Sequence, residues 1–155
     1  MGIHMNSRAV YRPKGATPVM PGTSDSWLKL IQAVANIEAE LGKVLQTGHG
    51  LGLSEYRALD VLARSPDSEL RIQELAAHLR LNQSSVSRMV ERLARGGLAL
   101  RDLCPDDKRG VYAVLTDKGR ARLESAQPDY DAALGEALKE YGCEELLAAR
   151  LIRAA

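Results

Sequence analysis

The feature that most constrains this chain is a change of hydrophobic rhythm through its middle. Between residues 71 and 95, apolar side chains recur at three- and four-residue steps in two short blocks. The first is Ile72, Leu75, Ala76 and Leu79; the second is Val86, Met89, Val90 and Leu93. Each block is one face of a helix. Only a tight turn fits between them, and Asn82 is placed to cap the second helix. Gly96-Gly97 stops that helix. Two strand-like runs follow, Leu98 to Arg101 and Val111 to Leu115, joined by the polar turn Cys104-Pro105-Asp106-Asp107-Lys108-Arg109-Gly110. A chain that must place two short helices and a hairpin in succession has few ways to bury every apolar face.

The flanks are helical. Trp27, Leu30, Ile31, Val34, Ile37, Leu41, Val44 and Leu45 predict a first helix of about five turns, capped by Ser24 or Asp25. Gly48-His49-Gly50-Leu51-Gly52 breaks it; with no strand before it and no Lys-Ser/Thr after it, this is a linker and not a phosphate loop. Ser54 is expected to cap a second helix with Tyr56, Leu59 and Leu62 inward, ending at Ser65-Pro66. Thr116 is expected to cap a long last section, with Asp117 set against the helix dipole. Pro128 predicts a kink or a break there. Tyr130, Ala133, Leu134, Ala137, Leu138 and Tyr141 then resume a helical face, Gly142 ends it, and a short Leu- and Ala-rich helix closes the chain. Pro13, Pro18 and Pro21, with Gly2, Gly15 and Gly22, leave residues 1–24 without a period, so that segment reads as a flexible arm.

Composition excludes more than it selects. At 155 residues, 45% hydrophobic, the chain can bury a real core. It lacks Phe and has one Trp, so Leu, Val, Ile and Ala must build that core. No apolar run approaches the ~18 residues a membrane span needs, nothing resembles a signal peptide, and Cys104 and Cys143 are too few for a disulfide framework. The expected location is therefore cytoplasmic. His4, His49 and His78 are scattered, no Cys/His spacing suggests zinc, and no nucleophile, base and orienting group come together. The chain reads as no enzyme, with no metal and no cofactor. Net charge is only +1, but its distribution is uneven: residues 1–24 carry +3, 25–70 carry −3, 71–109 carry +3 and 116–155 carry −2. Positive charge sits where the paired short helices and the hairpin sit.

Two short helices, a tight turn, and two strands with a basic hairpin define a winged helix-turn-helix. The fold class expected is mainly α with a small β-wing, plus a helical dimerisation region. Residues 53–115 form the winged lobe, residues 25–50 and 116–155 the dimerisation region. On the second short helix, Gln83, Ser84, Ser87, Arg88 and Arg92 lie off the apolar stripe. Short hydroxyls allow close approach to a major groove, and Gln and Arg bond adenine and guanine in bidentate fashion. Gln83, Ser84, Ser87 and Arg88 are the candidates for base contact; Ser85, Arg92, Arg101, Lys108 and Arg109 are the candidates for phosphate or the minor groove. A plain solvated helix face and a solvated turn are the alternatives, since Asp102, Asp106 and Asp107 lie close to the hairpin cations. The implied partner is double-stranded DNA.

At these residues the sequence resembles the MarR family of transcriptional regulators. Gly52-Leu53-Ser54-Glu55-Tyr56-Arg57-Ala58-Leu59 looks like their helix opening, and Gln73 to Ala76 with Ser84 to Val90 looks like their helix-turn-helix. Asp107-Lys108-Arg109-Gly110-Val111 through Leu115-Thr116-Asp117-Lys118-Gly119 is similar to their wing signature. The resemblance covers residues 27–150. It implies a homodimer held by the first helix and the last two, reading half-sites about one helical turn apart, with Arg109 aimed at the minor groove. It also implies a regulator, a repressor more than an activator, released by a small phenolic or otherwise aromatic effector. Trp27 and Tyr56 are candidates to line its pocket, though both also suit the core. One departure is Arg80, which occupies the turn position where the family often has Gly; a left-handed backbone there would cost about 1 kcal/mol with a Cβ present. Two other readings stand beside this one: a winged helix used for protein contact, and a thiol-based redox sensor acting through Cys104, whose neighbours Arg101 and Lys108 favour a thiolate.

Overall fold

The computed structural model describes residues 22–103 and 110–143. The predicted N-terminal arm, apart from its last residues, and the predicted C-terminal helix lie outside the described residues. So do Cys104, Lys108 and Arg109. In chain order the elements are α1 (Thr23–His49), α2 (Leu53–Arg64), β1 (Glu69–Arg71), α3 (Ile72–Leu79), α4 (Gln83–Arg95), β2 (Ala99–Leu103), β3 (Val111–Leu115) and α5 (Asp117–Glu140). The sheet has order β1-β3-β2 and both pairings are antiparallel. It is a mainly helical fold with a small β-wing, as expected from the sequence.

The α2–α4 core is the one the periodicity implied. Leu59, Leu62, Leu75, Val86 and Val90 are fully buried, each stabilising the fold by about 1.5–3 kcal/mol relative to exposure. Asn82 caps α4 as expected: its Oδ1 accepts the Ser85 N–H at 2.8 Å and the Ser84 hydroxyl, also at 2.8 Å. Between α3 and α4, Arg80 adopts φ +54° and ψ +39°, the left-handed conformation that the turn requires whatever the residue. The strain is held because its N–H still bonds the Ala77 carbonyl and the next N–H, of Leu81, reaches Ala76.

Four details differ from the expectations. First, α1 is longer, 27 residues, beginning at Thr23 behind Gly22, so Ser24 and Asp25 lie in its first turn and neither is the cap. Second, the cap of α2 is Gly52, not Ser54; the Glu55 carboxylate accepts the Gly52 N–H at 2.9 Å and takes the place of a serine cap. Third, β1 is a strand that periodicity did not show. Three residues cannot display a period, and this strand exists because β3 offers it an edge. Fourth, α5 runs through Pro128 without a break. Pro128 removes the N–H that would meet the carbonyl of Glu124, but both residues are exposed and water can satisfy that carbonyl. Contacts on either side pin the helix: Arg122 donates to the His49 carbonyl at 2.7 Å, Asp129 pairs with His49 at 2.8 Å, and the Tyr130 ring stacks on Tyr56 at 4.4 Å.

The predicted inner face of α1 divides into two. Ile37, Leu41 and Leu45 are buried against α5 and the α2 region, while Trp27, Leu28, Leu30, Ile31 and Val34 are exposed, Trp27 at 59%. The C-terminal half of the helix belongs to this chain's own core. Its N-terminal half presents an apolar stripe to the outside.

Candidate nucleic-acid interface

α4 exists because Val86, Met89, Val90 and Leu93 bury one side of it; everything opposite is left to face outward. Gln83, Ser84, Ser85 and Arg88 are exposed and Ser87 is half-buried. Gln83, Ser84 and Ser87 form one wall of an open cleft of about 470 Å3. Arg101 on β2 and Gly110 with Val111 at the start of β3 supply the wing side. Arg71 and Gln73, at the junction of β1 and α3, close the third side. The cleft is thus a meeting place of the recognition-type helix, the base of the wing and the start of the preceding helix.

Cations are distributed unevenly around it. Among the described residues Arg88 makes no hydrogen bond or ion pair, whereas two of the other predicted contacts are already engaged. Arg92 bonds Glu55 at 3.3 Å and Arg101 bonds Glu91 at 2.8 Å. Arg71 donates to the Tyr112 hydroxyl at 2.8 Å, with its guanidinium 5.5 Å from the ring centre. Arg71 and Gln73 were not singled out from the sequence. A signal for them exists, since both are polar residues at the start of a helix that leads into the turn before α4, but the periodicity of that helix fixes its buried face alone.

No group of three or more metal-ligating side chains occurs among the described residues, and none of their helices is long and apolar enough to cross a membrane. Tyr56, a candidate pocket residue, is buried at the joint between α2 and α5, whereas Trp27, the other, is exposed. Burial pushes the Tyr56 phenol up from 10.0 to about 12, assisted by the negative charges of Asp131 and Asp60. The folded state therefore holds the neutral phenol after the unfolded chain has begun to ionise it. Its stabilising contribution is intact below pH 10 and is lost as pH rises through about 12. A Tyr56→Phe variant followed by circular dichroism should show a shallower loss of stability across that alkaline window than wild type; an identical fall in both would remove Tyr56 from the account.

The helix pair, turn and wing around one cleft, flanked by two long helices, define a winged helix-turn-helix regulator. The family model described as MarR family matches residues 49–110. In overall fold the chain is similar to Sco3205 of Streptomyces coelicolor, a MarR family transcriptional regulator solved in complex with DNA. That likeness has a TM-score of 0.78 and 30% identity, and covers 92% of this chain and 90% of that one. Two curated relatives come from Bacillus subtilis. The uncharacterised HTH-type transcriptional regulator YkoM is 32% identical over 98 residues, covering 63% of this chain and 62% of YkoM. The HTH-type transcriptional repressor YetL is 27% identical over 121 residues, covering 76% of this chain and 72% of YetL. The chain belongs to the MarR family of DNA-binding transcriptional regulators.

Proposed function

We propose that this chain acts as a homodimeric repressor that places two copies of α4 in successive major grooves of an inverted-repeat operator. The observation that carries the reading is the cleft in which Gln83, Ser84 and Ser87 converge with the base of the wing, while Arg88 has no partner among the described residues. In this reading Gln83, Ser84, Ser87 and Arg88 face base edges; Ser85, at the N-terminus of α4, and Arg92, Arg101, Lys108 and Arg109 face phosphates or the minor groove. Residues 53–115 are the DNA-binding lobe, and residues 25–50 and 116–155 the dimerisation region. The exposed stripe of Trp27, Leu30, Ile31 and Val34 supports that division, because an apolar patch of this kind is stable in water when a partner covers it. YetL's description as a repressor supports the sign of regulation. Release by a small phenolic or aromatic effector belongs to the same proposal and is supported by the family resemblance.

Selection of bound sites from random duplexes by the purified protein tests the reading. The expected product is an inverted repeat with half-sites about one helical turn apart, bound with an affinity that falls steeply as salt rises. Enrichment of no inverted repeat rejects the dimeric reader, and affinity that stays level with salt favours protein contact instead. Dimerisation has its own readout, since Trp27 is the only tryptophan and lies on the stripe. Its emission should shift to the red on dilution of wild type. Ile31→Asp should show that red-shifted emission at every concentration and sediment as a monomer.

A further inference from the structure

The recognition-type helix carries an acid where a DNA-facing surface should not want one. Seven residues along a helix return to within about 20° of the same direction, so Glu91 lies in line with Ser84, and it stands one turn beyond Ser87 and Arg88. A carboxylate there repels phosphate. It is bound to a specific partner: Glu91 Oε1 accepts from a terminal nitrogen of Arg101 at 2.8 Å, across from α4 to the wing strand β2. The two side chains are 49% and 41% exposed, so water screens the pair and it adds little to folding stability. Its geometric effect is larger. Arg101 has one backbone anchor, facing Ala113 in the register of β2 with β3, and a long side chain that would otherwise sweep the cleft. Tying one nitrogen to α4 aims the remaining N–H groups.

We propose that Glu91 is a positioning residue for specific DNA recognition, holding the Arg101 guanidinium in one orientation between α4 and the wing. The inference rests on the operator reading above. Glu91 trades general attraction to DNA for a fixed spacing between the major-groove helix and the base of the wing. Docking on DNA excludes water from the pair and strengthens it where the spacing matters.

The test uses the full chain, a labelled duplex of about 30 base pairs carrying the repeat that wild type enriches, and a random-sequence duplex of equal length. Glu91→Gln should weaken binding to the selected duplex about tenfold, leave the random duplex unchanged or slightly tighter, and keep the thermal midpoint. Arg101→Ala combined with Glu91→Gln should bind no worse than Arg101→Ala alone. If Glu91→Gln tightens both duplexes equally, the carboxylate is a solvated charge and the proposal is wrong. Additive losses in the double variant, or a lowered midpoint that accounts for the weaker binding, overturn it as well. Should wild type itself fail to distinguish the two duplexes, the operator reading falls, and a specificity role for Glu91 falls with it.

Discussion

Gly119→Ala is expected to destabilise the folded chain by about 3 kcal/mol or more. Gly119 is buried in the first turn of α5, where its N–H donates to the Thr116 hydroxyl at 3.0 Å. A Cβ built there would overlap the carbonyl oxygen of Leu98 and stand 2.8 Å from Leu115 Cδ1 and 2.9 Å from the Leu98 carbonyl carbon. The leucine side chain can turn aside, but the carbonyl cannot. It accepts the Thr116 N–H at 3.3 Å, and the Thr116 hydroxyl in turn donates to Gly97 at 2.7 Å. To admit a methyl group, α5 must lift away from the start of β2, which loosens the wing and its joint to α5 together. Urea unfolding should show the midpoint fall, and relieving the side chain with Leu115→Val in the same protein should recover little of it. Full recovery would mean that the leucine, not the backbone, is the obstacle. The requirement for glycine in the Leu-Thr-x-x-Gly run is thus one of close approach and not of backbone angle.

On the proposed operator reading, in which Arg88 faces a base edge, Arg88→Ala should lower affinity for the selected operator about 10- to 100-fold, since one bidentate base contact is worth about 1–3 kcal/mol. Stability should stay within about 0.5 kcal/mol of wild type, because the side chain is exposed. The loss should be concentrated on one base pair in each half-site, with binding to random duplex falling far less. Arg88→Lys should fail to restore discrimination, since an ammonium cannot present two parallel donors to one guanine edge. A uniform loss on every sequence, with the salt slope reduced by about one unit, would instead place Arg88 on phosphate.

Much of the fold was legible because it rests on local rules. The stripe Val86, Met89, Val90 and Leu93 announced the orientation of α4, and Asn82 and Thr116 announced two helix starts through caps that need only three or four residues of context. The candidate interface followed from the same stripe: once one face of α4 is committed to the core, Ser84 and Arg88 have nowhere to point but out. Arg80 was legible as a strained position because a turn that short needs a left-handed residue regardless of side chain.

Other features depend on partners distant in sequence. The Glu55 carboxylate that accepts the Gly52 N–H also meets Arg92, 37 residues away. β1 is too short to be read and forms only against β3. α5 is held on both sides of Pro128, by Arg122 on the His49 carbonyl before it and by Asp129 and Tyr130 on His49 and Tyr56 after it.

From its residues alone this chain specifies its helices, the wing strands and which face of each is apolar, β1 and the continuity of α5 excepted, because caps and periodicity act over a single turn or pair of strands. What covers each apolar face is not a local quantity. The stripe of α1 reads as continuous from Trp27 to Leu45, yet within it, among the described residues, Ile37, Leu41 and Leu45 are buried in the core while Trp27, Leu30, Ile31 and Val34 stay exposed. The pairing of Glu91 with Arg101 is likewise set by the packing of α4 beside β2, which brings an acid and a base ten residues apart to 2.8 Å.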